Sequence, residues 1–331
     1  MRIIGLIPFR NEAWILPACL SSLRPVVDEI IALDDGSIDD SADIVKSYGG
    51  RVVRQEQRPA SGWAEFNIRE ELLRAGRERS GTHFVCLDAD EAIVSGSRIR
   101  PLIEGMVPGQ KLSAQWMALW KTVGKYRADR SVWSNLFIDF AFRDDGLASH
   151  DFAWLGVGRT PRMSTSAATI RVEPDTSCVL HFQFAAWNRF QMKQAWYRCS
   201  ELIKMPGSAR EINHKYAMTR EDPRARLRDV PRAWWMGLDI PPALENEPAG
   251  WHRSSVEALF AQHGIEFFEP LQIWHIPELR SHFVRTTRRQ PKPEPAHPLT
   301  AAYWYSRLRK AIHSRLGYPK GESQRKSGRQ S

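Results

Sequence analysis

The chain has 331 residues, 42% of them apolar, and a formal charge of +9 with a pI near 9.6. That length exceeds a typical single domain and supplies apolar material for a buried core plus appendages. No apolar run reaches the roughly 18 residues of a membrane span, Met1 leads at once into an apolar run so that no signal peptide is expected, and Cys19, Cys86, Cys178 and Cys199 lack zinc-ligand spacing and read as reduced, buried thiols of a cytoplasmic protein. Residues 3–7 form the first short apolar run, closed by Pro8-Phe9-Arg10-Asn11-Glu12. Residues 12–23 carry apolar side chains at helical spacing, with Pro17 awkward among them. Residues 29–33 are a second run, closed by Asp34-Asp35-Gly36-Ser37, and residues 38–48 read as a helix with acids in its first half, as the helix dipole prefers. Arg51-Val52-Val53 is a short strand, residues 63–79 a long helix, and residues 84–87 an apolar run that drives into Asp88-Ala89-Asp90-Glu91. Short continuous apolar runs mark strands buried on both faces. The order β-α-β-α-β-α-β predicts a parallel, doubly wound sheet with right-handed crossovers. Its strand ends bring residues 8–12, 34–37 and 88–91 to one rim, where open α/β sheets place ligands.

Asp88 and Asp90 stand two apart, so on a strand that stays extended they point the same way. Two carboxylates this close repel unless a cation lies between them, and hard oxygen ligands suit Mg²⁺ or Mn²⁺. Such a pair can hold a diphosphate; the plain alternative is a solvated acidic turn. Asp34 or Asp35 can accept hydrogen bonds from a base N–H or a ribose hydroxyl, with Gly36 allowing the tight turn and Ser37 capping the next helix. The alternative there is an ordinary strand-to-helix loop. Arg10 and Glu12, at the end of the first strand, point to nucleotide contact, unless Asn11 or Glu12 simply begins a helix.

Taken in order, Ile7-Pro8-x-x-Asn11-Glu12, Asp34-Asp35-Gly36-Ser37-x-Asp39 and Leu87-Asp88-Ala89-Asp90-Glu91 resemble the nucleotide-sugar-binding half of glycosyltransferase family 2. The resemblance covers residues 3–95 and runs more loosely to 205. It implies the GT-A fold, a Rossmann-like, mostly parallel α/β sheet flanked by helices. It also implies metal-dependent, inverting transfer of a sugar from a nucleotide diphosphate sugar to a glycan or lipid-linked acceptor, with Mg²⁺ or Mn²⁺. Pro8, Arg10, Glu12, Asp34, Asp35 and Asp88 would then face the donor, and Asp88 and Asp90 the metal. The family often carries Arg-Asn at the start of the helix before the metal strand; here that place reads Phe66-Asn67, so no basic contact is assigned to it. In the resembled fold a histidine from a late strand returns to the metal, and His181, in the apolar run 177–182, fits that place as well as it fits a satisfied core histidine. The helix expected at 186–204 carries Arg189, Lys193 and Arg198, either beside the phosphates or on a solvated face.

An inverting transfer needs a carboxylate to take the acceptor's proton. Residues 137–142 alternate like a strand and end in Arg143-Asp144-Asp145-Gly146, which makes Asp144 or Asp145 the candidate base, although Asp-Gly is also a hairpin-turn signal. His150-Asp151 is the second candidate. Trp116, Trp120, Trp133 and Trp154 suit stacking on sugar rings or core packing.

Residues 1–205 are expected to form the GT-A domain and 206–280 a helical C-terminal extension, whose Arg-, Trp- and Pro-rich stretch 220–248 predicts no particular fold. Residues 281–331 read as a basic, Pro-rich linker, an amphipathic helix and a disordered tail. They hold twelve Lys and Arg against two acids, a net +10, which leaves −1 for residues 1–280. On a helix over 299–317, Ala301, Trp304, Tyr305, Leu308, Ile312 and Leu316 share one face beside Arg307, Arg309 and Lys310. That is the pattern of an interfacial helix on anionic lipid, or of a terminal helix docked on the enzyme's own body. The expected location is the cytoplasm, with peripheral contact at the inner face of the membrane. Two other classes compete. A nucleotidyltransferase would carry a Gly-rich phosphate loop after its first strand, and residues 8–12 contain no glycine. A basic-tailed nucleic-acid binder has its footprint in the tail, but a carboxylate-lined rim repels phosphates, so no nucleic acid is expected.

Overall fold

The computed structural model describes residues 1–54, 65–129, 134, 136–147, 168–216, 225–242, 244 and 250–294. Trp133, His150, Asp151, Trp154 and the segment 299–317 lie outside the described residues. The chain divides into two compact units, Met1–Trp196 with Pro223–Leu259, and Tyr197–Asp222 with Phe260–Ser331.

The first unit is α/β, with a mostly parallel sheet flanked by helices, as the apolar runs lead one to expect. β1 (Ile3–Phe9), β2 (Glu29–Asp34), β3 (Arg51–Arg54) and β4 (His83–Cys86) pair in parallel in the order β3-β2-β1-β4. They are linked by α1 (Leu16–Leu23), α2 (Ser41–Ser47) and α3 (Glu65–Glu78). Alternate residues of β1 bury opposite ways. Ile3 and Ile7 pack with Leu20 and Leu23 of α1, while Ile4 and Leu6 pack with Ile68, Leu72 and Leu73 of α3. This double burial is why the strands read as unbroken apolar runs. Gly5 lets α1 approach, since a Cβ there would meet Leu23 Cδ1 at 3.3 Å. Pro17 falls in the first turn of α1, where a missing N–H costs nothing, and the helix therefore starts at Leu16 rather than at residue 12.

Beyond β4 the sheet continues through β8 (Phe137–Arg143), β6 (Lys111–Ala118), β10 (Val179–His181) and β5 (Glu91–Ile93). β8 runs antiparallel to both β4 and β6; β10 is parallel to β6 and antiparallel to β5. β9 (Thr169–Arg171) adds to β6, and α4 (Gly96–Glu104) follows β5. β7 (Lys125–Arg127) pairs with β11 (Leu227–Asp229), which opens the segment returning from beyond residue 223. There Trp234, Trp235, Leu238 and Ile240 pack with Ile15, Leu180 and Phe182. Asp239 accepts from the Tyr48 hydroxyl at 2.7 Å, and its N–H donates to Ser21 Oγ at 2.9 Å. A stretch without readable periodicity is thus ordered by tertiary contacts with the sheet unit. α5 (Trp187–Lys204) follows β10.

The second unit holds α6 (Ala209–Lys215) and α8 (Pro277–Thr287); α7 (Trp251–His263) leads into it. Asn213 clamps the loop at 270–272, donating to the Pro270 carbonyl and accepting the Gln272 N–H, both at 2.8 Å. Arg289 forks onto Glu269 and Glu266, and Glu294 accepts the N–H groups of Trp274 and His275. The start of the proline-rich stretch is therefore pinned as far as Glu294.

The antiparallel entry of β8 corrects one expectation. His83 pairs with Arg143, so Asp144 and Asp145 emerge beside the start of β4, five residues of extended chain, about 16 Å, from Asp88 at its far end. The Asp144 N–H donates to the Thr82 carbonyl, and its carboxylate receives a two-pronged bond from Arg77 at 2.7 and 2.8 Å. Burial opposes ionisation of Asp144, but Arg77 and the Gly146 N–H outweigh it and hold its pKa below the ordinary carboxylate value. Asp145 accepts the Leu147 N–H, and Gly146 takes φ +78°, a left-handed conformation that glycine tolerates. Neither acid is brought to the ligand rim. Asp144→Ala should destabilise the fold by about 1–2 kcal/mol in urea melts and leave nucleotide diphosphate affinity unchanged. The opposite pattern, lost affinity at unchanged stability, would return Asp144 to the site.

Candidate active site

The rim is built by four strand ends and two helices. Where β1 and β2 end, Phe9 pairs with Asp34, so Arg10 and Asp35 come side by side at 3.9 Å. Pro8 lies within β1 opposite Leu33. The loop is fastened crosswise. The Asp34 carboxylate accepts the Ser37 N–H at 2.7 Å, Ser37 Oγ accepts the Asn11 N–H at 3.0 Å, and Asn11 Oδ1 accepts the Ile38 N–H at 2.7 Å. Asn11 adopts φ +52° and Gly36 φ +83°, left-handed conformations that Asn and Gly tolerate. Ser37 thus holds the first strand's end rather than capping α2, and Asp34 closes the loop. Asp35 is left as the loop carboxylate beside Arg10, whose guanidinium carbon lies 4.9 Å from the centre of the Trp251 ring.

At the end of β4 the strand stops at Cys86, and Asp88–Asp90 form a turn in which the Glu91 N–H donates to the Asp88 carbonyl. The expectation that both acids project the same way required an extended strand, and the turn gives them different partners. Asp88, partly exposed, receives Arg69 NH2 of α3 at 2.8 Å. Asp90, 7% exposed, faces His181 and Lys193. Glu91 is fully buried, accepting the Asp88 N–H at 2.9 Å and the Trp116 indole N–H at 2.8 Å. The register sets the histidine: His181 on β10 pairs with Glu91, which places it next to Asp90 with Nε2 3.6 Å from Asp90 Oδ2. Trp116 stacks on the imidazole at 3.9 Å between centroids, Phe184 meets its edge, and its buried Nδ1 has no hydrogen-bond partner.

α5 supplies two cations one turn apart. Arg189 donates to the Asn11 carbonyl at 2.8 Å and to Glu12 at 3.1 Å, and Lys193 Nζ lies 3.8 Å from Asp90 Oδ2. Trp14 also donates to Glu12 from its indole nitrogen. Burial raises the Glu12 pKa, with Arg189 and Lys193 opposing and Asp90 adding to the rise. For Asp90 burial also pushes upward, but His181 and Lys193 prevail and bring it down to about 2. A carboxylate lowered in this way adds stability above its unfolded pKa of 3.8, and that contribution is lost as pH falls through about 2.

The structure therefore gathers Glu12, Asp88, Asp90 and His181 with Arg189 and Lys193, and sets Arg10, Asp34 and Asp35 along the same strand ends. Arg198 instead donates to the Tyr216 carbonyl in the second unit. Trp116 and Trp120, each 2% exposed, are core residues and offer no sugar-stacking face. Glu91 lies at the rim as expected from the strand ends, whereas Arg69 was not anticipated there. The signal for Arg69 was its place on the apolar face of α3, three and four residues before Leu72 and Leu73, where a cation needs a buried partner.

Residues 6–152 match the model of the family described as glycosyl transferase family 2. A TPR repeat-containing protein of Synechococcus elongatus is 34% identical over 87 residues, which is 26% of this chain and 19% of that protein. Among solved structures, glucosyl-3-phosphoglycerate synthase from Mycobacterium tuberculosis, in complex with Mn²⁺, UDP and glucosyl-3-phosphoglycerate, is similar at 26% identity and a TM-score of 0.26, covering 35% of this chain and 44% of that one. S. aureus TarS covers 86% of this chain and 53% of its own at 14% identity and a TM-score of 0.37. The chain thus spans less than two thirds of the length of each. The family match begins within β1 and takes in Glu12, Asp34, Asp35, Asp88 and Asp90, while His181, Arg189 and Lys193 reach the same rim from outside it. The likeness to glycosyl transferase family 2 thus spans residues 6–152, a little under half of the chain.

Proposed function

We propose that the protein transfers a sugar from a nucleotide diphosphate sugar to a glycan or lipid-linked acceptor, with a divalent cation and inversion at the anomeric carbon. The observation that carries this reading is Asp90 on the turn after β4, where residues matching the family 2 model meet His181 and Lys193 from outside the match.

Asp35 and Arg10 line the nucleoside end, where the carboxylate accepts from base or ribose and the guanidinium donates. Among the described residues no three Asp, Glu, His or Cys side chains converge as a closed metal cage. Mg²⁺ seldom uses one, commonly taking one or two carboxylates and filling its shell with water and substrate phosphates. Asp90, ionised and next to the imidazole of His181, with Asp88 on the same turn, fits that open kind of site; His181 Nδ1, lacking a partner, leaves the ring's orientation to Trp116. A bound cation would offset charge on the leaving diphosphate. Arg69 fixes the direction of Asp88, and Arg189 ties Glu12 to the first strand's end. With Asp144 and Asp145 at the other rim, the role of base passes in this reading to His150-Asp151. The basic amphipathic sequence 299–317 supports an acceptor held at an anionic surface on the cytoplasmic side; among the described residues no helix is long and apolar enough to cross a membrane.

Asp90→Asn should keep the circular dichroism of the parent and lose transfer by about a hundredfold or more. Full activity of that variant in EDTA would remove the metal from the mechanism. Asp35→Ala should weaken nucleotide diphosphate binding by roughly 1–3 kcal/mol in calorimetry, the scale of a hydrogen bond to a charged group. An unchanged dissociation constant would reduce the 34–37 loop to a structural turn.

A further inference from the structure

Glu12, Asp88 and Asp90 are each met by a cation, but the contacts differ in kind. Arg69 donates to Asp88 at 2.8 Å and Arg189 to Glu12 at 3.1 Å, both within the range of about 2.7–3.2 Å for N–H···O bonds. Asp90 has no such bond to its cation. Lys193 Nζ stands 3.8 Å and His181 Nε2 3.6 Å from the same oxygen, Oδ2, while the carboxylate itself is 9% exposed. Lys193 therefore neutralises Asp90 as a nearby point charge. Its side chain is 17% exposed, and its flexible stem can carry the ammonium elsewhere without moving α5.

We propose that Lys193 is the resident counter-ion of Asp90 when the site holds no metal, that a divalent cation enters by displacing it, and that the displaced ammonium then meets the donor's phosphates. The inference rests on the metal reading above and deepens it. A buried carboxylate cannot be left uncompensated, so some cation must stand by Asp90 before the metal arrives, and of the contacts made to Glu12, Asp88 and Asp90 the loosest is the one at Asp90. A divalent ion on Asp90 repels an ammonium within 4 Å. That repulsion is relieved when diphosphate brings negative charge for Lys193 to meet. Lys193 thereby couples the two ligands: it competes with the metal when the metal comes alone and favours it when the diphosphate is present. Such coupling is reciprocal.

The test measures Mn²⁺ binding to the full-length protein without nucleotide, by loss of the free-ion signal in electron paramagnetic resonance. Lys193→Met should bind Mn²⁺ about tenfold more tightly than the parent, because one competing charge is gone, and Asp90→Asn should abolish binding. Lys193→Gln, neutral and polar, should reproduce the gain and serves if the methionine variant does not fold. Equal or weaker Mn²⁺ binding by folded position-193 variants, with binding still lost in Asp90→Asn, overturns the role of Lys193 and leaves the metal reading standing. No Mn²⁺ binding by parent or variants overturns both.

Discussion

Burying carboxylates at the end of a sheet is costly unless each one is paired, and that constraint organises the first unit. Glu12, Asp90 and Glu91 are all buried or nearly so, and Asp88 sits on the same turn. Removing an isolated carboxylate from water costs several kcal/mol even after relaxation, so the fold has to deliver partners from elsewhere in the chain. It delivers Arg69 from α3, Arg189 and Lys193 from α5, and the indole of Trp116 from β6. α5 is held at the rim by buried neighbours: Phe190, Ala195 and Trp196 are buried, and Phe190 packs edge-on against Phe184. Core packing thereby fixes where two positive charges stand relative to two negative ones.

The same packing carries geometry to the histidine. Trp116 has its ring stacked on His181 and its N–H bonded to Glu91, so one buried side chain aligns two members of the site. The pairing of β10 with both β5 and β6 places His181 between Glu91 and Ala118. An imidazole held by stacking on one side and an aromatic edge on another has little rotational freedom, and its remaining choice is which nitrogen faces Asp90. A ring fixed before any ligand arrives contributes to binding without a further entropy cost.

The strand-end acids were legible in the sequence because doubly buried parallel strands advertise themselves as apolar runs, and whatever follows each run must lie at one rim. The β-α-β order of residues 3–86 followed for the same reason. The turn at Asp88–Asp90 was not legible, since nothing local distinguishes a strand that continues from one that stops at Cys86; the difference lies in Glu91, whose carboxylate takes the Asp88 N–H from three residues away. Asp144 misled because its meaning depends on the direction of β8. An alternating strand reads identically whether it enters the sheet parallel or antiparallel, and only the pairing of His83 with Arg143 sends its end to the other rim. Arg69 lies one turn beyond Phe66-Asn67, where the sequence departs from the family pattern, so no motif marks it.

Residues 225–251 show the limit of periodicity most clearly. They contain Trp234, Trp235 and Trp251 with scattered proline and arginine, and no repeat of 2 or 3.6 marks them. The described residues among them are placed by what they touch: Trp234 against Tyr126, Asp239 between Tyr48 and Ser21, and Trp251 beside Trp196 and the guanidinium of Arg10. The contact with Arg10 is the one that bears on the site. An arginine at the end of β1, 3.9 Å from Asp35 and without a partner at its buried Nε, keeps its orientation through the aromatic face of a residue some 240 positions later in the chain. A domain boundary drawn after α5 would separate Arg10 from that face. The end of the rim at Arg10 and Asp35 is therefore completed by the returning segment: residues 6–152 supply the acids together with Arg69 and Trp116, and His181, Arg189, Lys193 and Trp251 join them from later in the chain.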